Sequence, residues 1–268
     1  MRKLRLVCLV VLAACGDDGG SVAGPDAPGP PNTGAVSLSS YKTMQTTQVM
    51  GNIVNASFLF RPAPATCTSQ QIGPCILSQC TVLPGQPMYV NAGTVTVTGL
   101  SQTLTLTPSS ITNMYQPDNS ANAFVGGETV NITGMGATAP AFTLSLTAPS
   151  LASITVPAKP SGTNPLAIDR SHDLAVAWTG GGASDIDFVF GSTSGGPSLN
   201  CAFAATAGSG TIPTAALAML PAGSGSFSAS TEVFKSVDVG EWRMFGEAFY
   251  IAVWSADMSQ SSVTTMVQ

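Results

Sequence analysis

Apolar and small polar residues alternate along much of this chain, and the alternation has a period of two. Val95-Thr96-Val97-Thr98, Thr103-Leu104-Thr105-Leu106, Thr129-Val130-Asn131-Ile132 and Phe142-Thr143-Leu144-Ser145-Leu146 each place every second side chain on one face. One face then packs on a core while the other meets water. Strands are expected on the same grounds at 52–60, 174–178, 186–190, 199–204, 227–234, 242–245, 248–254 and 262–267. Gly-, Pro- and Asn-rich segments separate them at intervals that suit an all-β fold of the antiparallel β-sandwich type. One short helix is expected near 213–220, with Pro213 at its start and Pro221-Ala222-Gly223 as its stop. The Pro-rich run from Pro157 to Pro165 divides the pattern, so two packed sandwich lobes, 35–160 and 161–268, are expected rather than one large sandwich.

The amino end follows a different rule. Arg2, Lys3 and Arg5 precede a short apolar run from Leu6 to Leu12, which closes on Ala13-Ala14. A basic start, a short apolar run and small residues are the parts of a secretory signal, and the run is far below the ~20 residues that span a bilayer as a helix. Leu12-Ala13-Ala14-Cys15 resembles the lipobox of bacterial lipoproteins. The resemblance implies that residues 1–14 are removed, that Cys15 is acylated, and that membrane lipid is a partner through that cysteine. Gly16, rather than an acid, follows the cysteine, which by the same resemblance favours the outer membrane, at the cell surface or its periplasmic face. Residues 15–34 are rich in Gly, Pro and Asp and offer almost nothing to bury, so a disordered tether is expected there.

Composition narrows the function classes. Without residues 1–14, which hold three of the nine basic residues and no acid, six bases face 14 acids, a net charge of −8. Such a chain lacks the basic cluster that phosphate contacts demand, so nucleic acid is not an expected partner. Four cysteines follow Cys15: Cys67, Cys75, Cys80 and Cys201. An even number in an exported chain reads as two disulfides, and any complete pattern joins Cys201 to one of the other three. Cys67, Cys75 and Cys80 share what reads as one Pro/Gly/Gln-rich loop. A four-thiolate zinc site is the competing reading, but the spacings lack the paired two-residue gap of zinc ribbons.

Catalytic residue types are scarce. The single histidine, His172, lies in Asp169-Arg170-Ser171-His172-Asp173, which suggests a hydrolase triad, but adjacent residues on a strand point to opposite faces. No Gly-x-Ser-x-Gly elbow occurs, and one histidine is too few for most zinc chemistry. Asp185 and Asp187 are spaced to share a strand face, as calcium binding or glycoside hydrolysis would require; the plainer reading is a hydrophilic strand end. Trp178 and Trp254 read as core, and Trp242, in Gly240-Glu241-Trp242-Arg243, is the candidate for an exposed ligand-stacking ring.

Ala141-Phe142-Thr143-Leu144-Ser145-Leu146-Thr147-Ala148-Pro149, the run from Asp169 to Gly180, Asn200-Cys201-Ala202-Phe203 and Gly208-Ser209-Gly210-Thr211-Ile212-Pro213 together resemble uncharacterised surface lipoproteins of the myxobacterial type. That resemblance implies a shape and supplies no activity. The expectation is therefore a lipid-anchored, non-enzymatic envelope module without a cofactor. Possible partners are an envelope protein or a polysaccharide. The alternatives are a carbohydrate- or protein-binding module and a carboxylate-dependent hydrolase of extracellular polymer.

Overall fold

The computed structural model describes residues 32–42, 49–60, 66–81, 88–116, 124–192 and 196–268. Residues 1–31, including the expected leader, Cys15 and most of the expected tether, lie outside them. Among the described residues the protein is all-β, with one short α-helix and one 3-10 turn. In chain order the strands are β1 Asn32–Lys42, β2 Val49–Leu59, β3 Thr66–Ile72, β4 Cys75–Thr81, β5 Val95–Thr98, β6 Leu104–Leu106, β7 Thr129–Gly134, β8 Phe142–Thr147 and β9 Ala152–Val156. There follow β10 Leu166–Ile168, β11 Leu174–Gly180, β12 Asp185–Ser192, β13 Ser198–Ala204, the 3-10 turn Ala205–Ala207, β14 Ser209–Ile212 and helix α1 Thr214–Leu217. The last four strands are β15 Gly223–Val239, β16 Trp242–Ile251, β17 Val253–Trp254 and β18 Val263–Val267.

One large sheet runs β2-β1-β16-β15-β12-β13-β4-β3, with β18 beside β15 and β10 beside β18. Two four-stranded sheets, β6-β5-β7-β8 and β14-β11-β9-β17, complete the fold. Two cores result. The first is closed by the β6-β5-β7-β8 sheet and holds Leu38, Phe58, Val97, Ile132, Met244 and Tyr250. The second is closed by the β14-β11-β9-β17 sheet and is aromatic: Trp178 meets Phe188, Phe188 meets Phe227, and Phe227 stacks on Trp254 with centroids 5.6, 6.1 and 5.8 Å apart. Trp178 and Trp254 are thus core residues. Leu217 and Leu220, in and just after α1, cap the second core.

The expected division near residue 160 does not separate the two cores cleanly. β4, from the amino-terminal half, places Cys75 in the second core, and β16, near the carboxyl end, places Met244 and Tyr250 in the first. β1 is the reason: it pairs with β2 on one side and runs parallel to β16 on the other, with Asn32 opposite Trp242. Residues 32–34, expected as the end of a tether, belong to β1. Gly34 is a packed strand residue, since a Cβ there would lie 2.5 Å from both the Met244 sulfur and a Phe58 ring carbon.

The loop expected around the three cysteines is a hairpin. β3 and β4 pair antiparallel across the turn Gly73-Pro74, where Gly73 takes φ +60°. Thr, Ser and Gln fill its exposed edge, so no apolar alternation marks it. Cys75 is disulfide-bonded to Cys201, its register partner on β13. Cys67 is also disulfide-bonded, and its register partner on β4 is Cys80.

β15 holds the two cores together. Its Gly225–Glu232 segment pairs with β12 along one edge. Along the other edge Gly223–Phe227 pairs with β18 and Ser230–Val239 with β16. The gap between those partners falls at Ala229, where β16 has ended and the chain turns into β17 of another sheet. Ala252 N–H donates to Ala229 O at 2.9 Å. The fully buried Ser261 fills the rest: its Oγ accepts from Ala229 N–H at 3.0 Å and donates to Ala229 O at 2.8 Å.

Two outcomes are expected from this architecture. Ser261→Ala leaves the buried Ala229 N–H without a partner and should lower unfolding stability by about 1–3 kcal/mol in a urea titration. The Cys75–Cys201 bridge spans a sequence separation of 126 residues. Replacing both cysteines by Ala should cost about 2–5 kcal/mol under the same titration, with no loss on adding reductant to the variant at that bridge.

Candidate functional site

The outer face of the large sheet carries a group of acids where β12, β15 and β16 lie side by side. Ile186 and Phe188 point into the second core, so alternation turns Asp185 and Asp187 to the opposite face. Asp185 lies opposite Glu232 on β15, and Asp187 opposite Ser230. Glu247 on β16 faces the same side, opposite Ser37 of β1. Asn200 on β13 pairs in register with Val189, one step diagonal to Asp187. Three strands thus bring three acids, Asp187, Glu232 and Glu247, into a half-buried strip, with Asn200 of β13 beside it and Asp185 exposed at its border.

Burial sets the chemistry of the strip. Asp187 is 6% exposed. Loss of solvent pushes its carboxyl up to about 6, against hydrogen bonds from Asn200 and Glu232 that favour the charged form. Burial, then the neighbouring Asp187 and Glu247 charges, pushes Glu232 up to about 9. Glu247 is also raised by burial, opposed by a hydrogen bond with Ser37. Of the two, Glu232 is raised further, by burial and by the Asp187 charge, so it keeps its proton where Asp187 has released its own. The Asn200 Oδ1 is buried without a partner.

The aspartate pair that suggested calcium binding or glycoside hydrolysis is split between two environments. Hydrolysing a glycosidic bond needs two carboxyls roughly 5–9 Å apart with the sugar between them. Asp187 and Glu232 lie on adjacent strands, diagonal to each other in register. Asp185 and Asp187, the pair singled out in the sequence, differ in environment, one exposed and one buried. Among the described residues no group of three or more His, Cys, Asp or Glu is arranged to hold a metal ion.

His172 sits in an exposed turn before β11. Its Nδ1 lies 2.8 Å from Ser171 Oγ and 3.0 Å from Asp169 Oδ2, and Ser171 Oγ donates to Asp169 Oδ1 at 2.6 Å. A catalytic relay uses both ring nitrogens, one for the serine and one for the acid. Here one nitrogen meets both, which makes a local turn cluster. Hydrogen bonds from Ser171, followed by one from His172, hold Asp169 down at about 2.

Trp242 is not the exposed ring expected. It is 6% exposed and belongs to the first core, because the hairpin Gly240-Glu241 sets β16 so that Trp242, Met244 and Ala248 all face inward. Gly240 has φ +60°, which a two-residue hairpin of this kind requires at its first central position. Of the expected site residues, the structure brings Cys75 and Cys201 together and leaves Cys15 outside the described residues. Glu232, Glu247 and Asn200 were not legible as a group, since only register across four strands assembles them. No known protein-family model matches the chain, and no curated protein matches it.

The carboxyl pair predicts a pH profile. Between the ordinary carboxylate range and about 9, the folded protein keeps protons that the unfolded chain has released, so stability falls as pH rises through that window. Asp169 and Asp257, both held down at about 2, act in the opposite sense below about pH 4. Urea midpoints should therefore peak near about pH 4–5 and decline toward about pH 9. Glu232→Gln should flatten that decline and raise stability near pH 9 by about 1–3 kcal/mol.

Proposed function

We propose that this chain is an exported, lipid-anchored envelope protein whose disulfide-braced double sandwich serves as a structural or interaction module rather than an enzyme. The observation that carries the reading is the Cys75–Cys201 disulfide, buried in the second core, in a chain whose amino end has Leu12-Ala13-Ala14-Cys15 after a basic start and a short apolar run. Disulfides of this structural kind belong to oxidising compartments outside the cytoplasm. The similarity to myxobacterial-type surface lipoproteins points the same way, and Gly16 favours the outer membrane as address.

The settings of the reactive side chains support a non-catalytic role. Burial raises Asp187 and Glu232 toward their neutral forms, His172 is engaged through one nitrogen in an exposed turn, and Trp242 is packed inside. A structural or binding role asks only for a stable surface held at the membrane. Acyl chains provide that hold, each buried methylene adding about 0.8 kcal/mol of membrane affinity.

The decisive experiment is metabolic labelling with a fatty acid in a bacterium that processes lipoproteins. The chain should take up label and begin at Cys15, and Cys15→Ser should abolish labelling and leave an uncut precursor. Labelling of Cys15→Ser at the level of the parent would remove the anchor from the account.

A further inference from the structure

Three segments meet at one end of the first sandwich. Residues 88–94 leave the large sheet, where Val90 N–H donates to Phe58 O, and cross to the β6-β5-β7-β8 sheet. There Gly136 N–H donates to Ala92 O, and Thr138 and Ala139 N–H donate to Asn91 O, which seats the β7–β8 loop beside them. The β6–β7 connection joins from the other side: Asn113 Nδ2 donates to Tyr89 O, and Tyr115 Oη donates to Gly93 O at 2.6 Å while accepting from Ala92 N–H at 3.0 Å. Four large apolar side chains stand out to solvent on these segments: Met88, Ile111, Met114 and Met135, exposed by 63, 90, 43 and 70%.

The charge pattern of these segments sets them apart in an acidic protein. Residues 88–116 and 129–158 contain no Asp, Glu, Lys or Arg. Among the described residues, the charges at this end, Glu241 and the Asp238–Arg243 pair, sit on the β15–β16 hairpin, across β2 and β1 from Tyr89. The loop backbone is also largely self-satisfied. Ser109 N–H donates to Met114 O, Asn113 N–H to Ser109 O, the Ile111 and Thr112 N–H groups to Ser109 Oγ, and Met135 N–H to Thr94 O. Backbone groups paired in this way enter a poorly hydrated layer without leaving donors stranded.

The direction of the chain supplies the remaining argument. β1 begins at Asn32 at this same end, for Thr33 is opposite Leu59 and Leu59 is bridged to Tyr89. The segment leading back to Cys15 therefore departs next to the exposed apolar loops. A second copy is the poorer occupant, since four side chains offer a few hundred Å² where a stable interface covers ~800 Å² per partner. We infer that this end is a membrane-docking surface: Met88, Ile111, Met114 and Met135 seat in the headgroup–acyl boundary of the bilayer to which Cys15 tethers the chain. The inference rests on the anchored reading above and adds an orientation to it. The first lobe faces the membrane through its uncharged loops, and the acidic strip on the outer sheet face stays in water.

The test uses the full-length, acylated protein in vesicles of neutral phosphatidylcholine, with an environment-sensitive nitrobenzoxadiazole label on Ile111→Cys or Met135→Cys. Thr206→Cys, exposed in the second lobe, is the control. Labels at 111 and 135 should shift to the blue and be quenched by lipids carrying a nitroxide near the headgroup, and the label at 206 should do neither. Water-like emission at 111 and 135 on the acylated chain overturns the inference. So does a blue shift of equal size without vesicles, which assigns the surface to a second copy or to another part of the chain. The mass of the amino-terminal peptide reports acylation separately. If Cys15 proves unmodified, the anchored reading fails by itself, and the label response to added vesicles at high lipid still decides for or against the loops.

Discussion

A single strand that must serve two cores governs this structure. β15 sends Phe227 and Ala229 into the aromatic core and Val233 toward the other, so its backbone has to remain continuous while its neighbours change. At Ala229 one sheet partner has left and the next has not arrived, and an unpaired buried amide there would cost as much as a lost hydrogen bond. Small buried hydroxyls meet the need. Ser261 closes the gap, and Thr231, also fully buried, donates its hydroxyl to Ser150 O at 2.7 Å on the facing segment. These polar residues stand in a core for a backbone reason, and neither implies a ligand.

The acid strip lies directly outside the same junction. Asp187 sits across from Ser230, the residue after Ala229, and Glu232 follows two positions later. Two ionised carboxyls on neighbouring strands repel, and a proton on one of them relieves the repulsion. The protonation state of the pair therefore bears on the place where the sheets are joined.

The sequence disclosed strands whose two faces differ. β7 and β8 alternate buried and exposed positions throughout, and their pattern was plain in the residues themselves. β3 and β4 were hidden because Thr, Ser and Gln dominate the hairpin, and only Ile72, Cys75 and Leu77 turn toward the second core. β1 was not among the expected strands, for the opposite reason. Its first residues, Asn32, Thr33 and Gly34, look like linker, and only the close approach of Met244 and Phe58 explains the glycine. The site fared similarly. Asp185 and Asp187 could be paired from spacing, but their true neighbours Glu232 and Glu247 come from strands far along the chain, and register over long separations is not written in local pattern. Trp242 was misplaced because a tryptophan just after a turn reads as surface until the hairpin register is known.

The parallel pairing of β1 with β16 carries a consequence for the order of assembly. The first core needs a strand from each end of the chain, with Asn32 waiting for Trp242 about two hundred residues later. Loop closure over such a span is slow, and no amino-terminal fragment contains the parts of a finished lobe. Synthesis has to run past Trp242 before Asn32 can find its mate. Until then the first lobe lacks a strand of its large sheet, and the amino-terminal half has no finished core in which to rest.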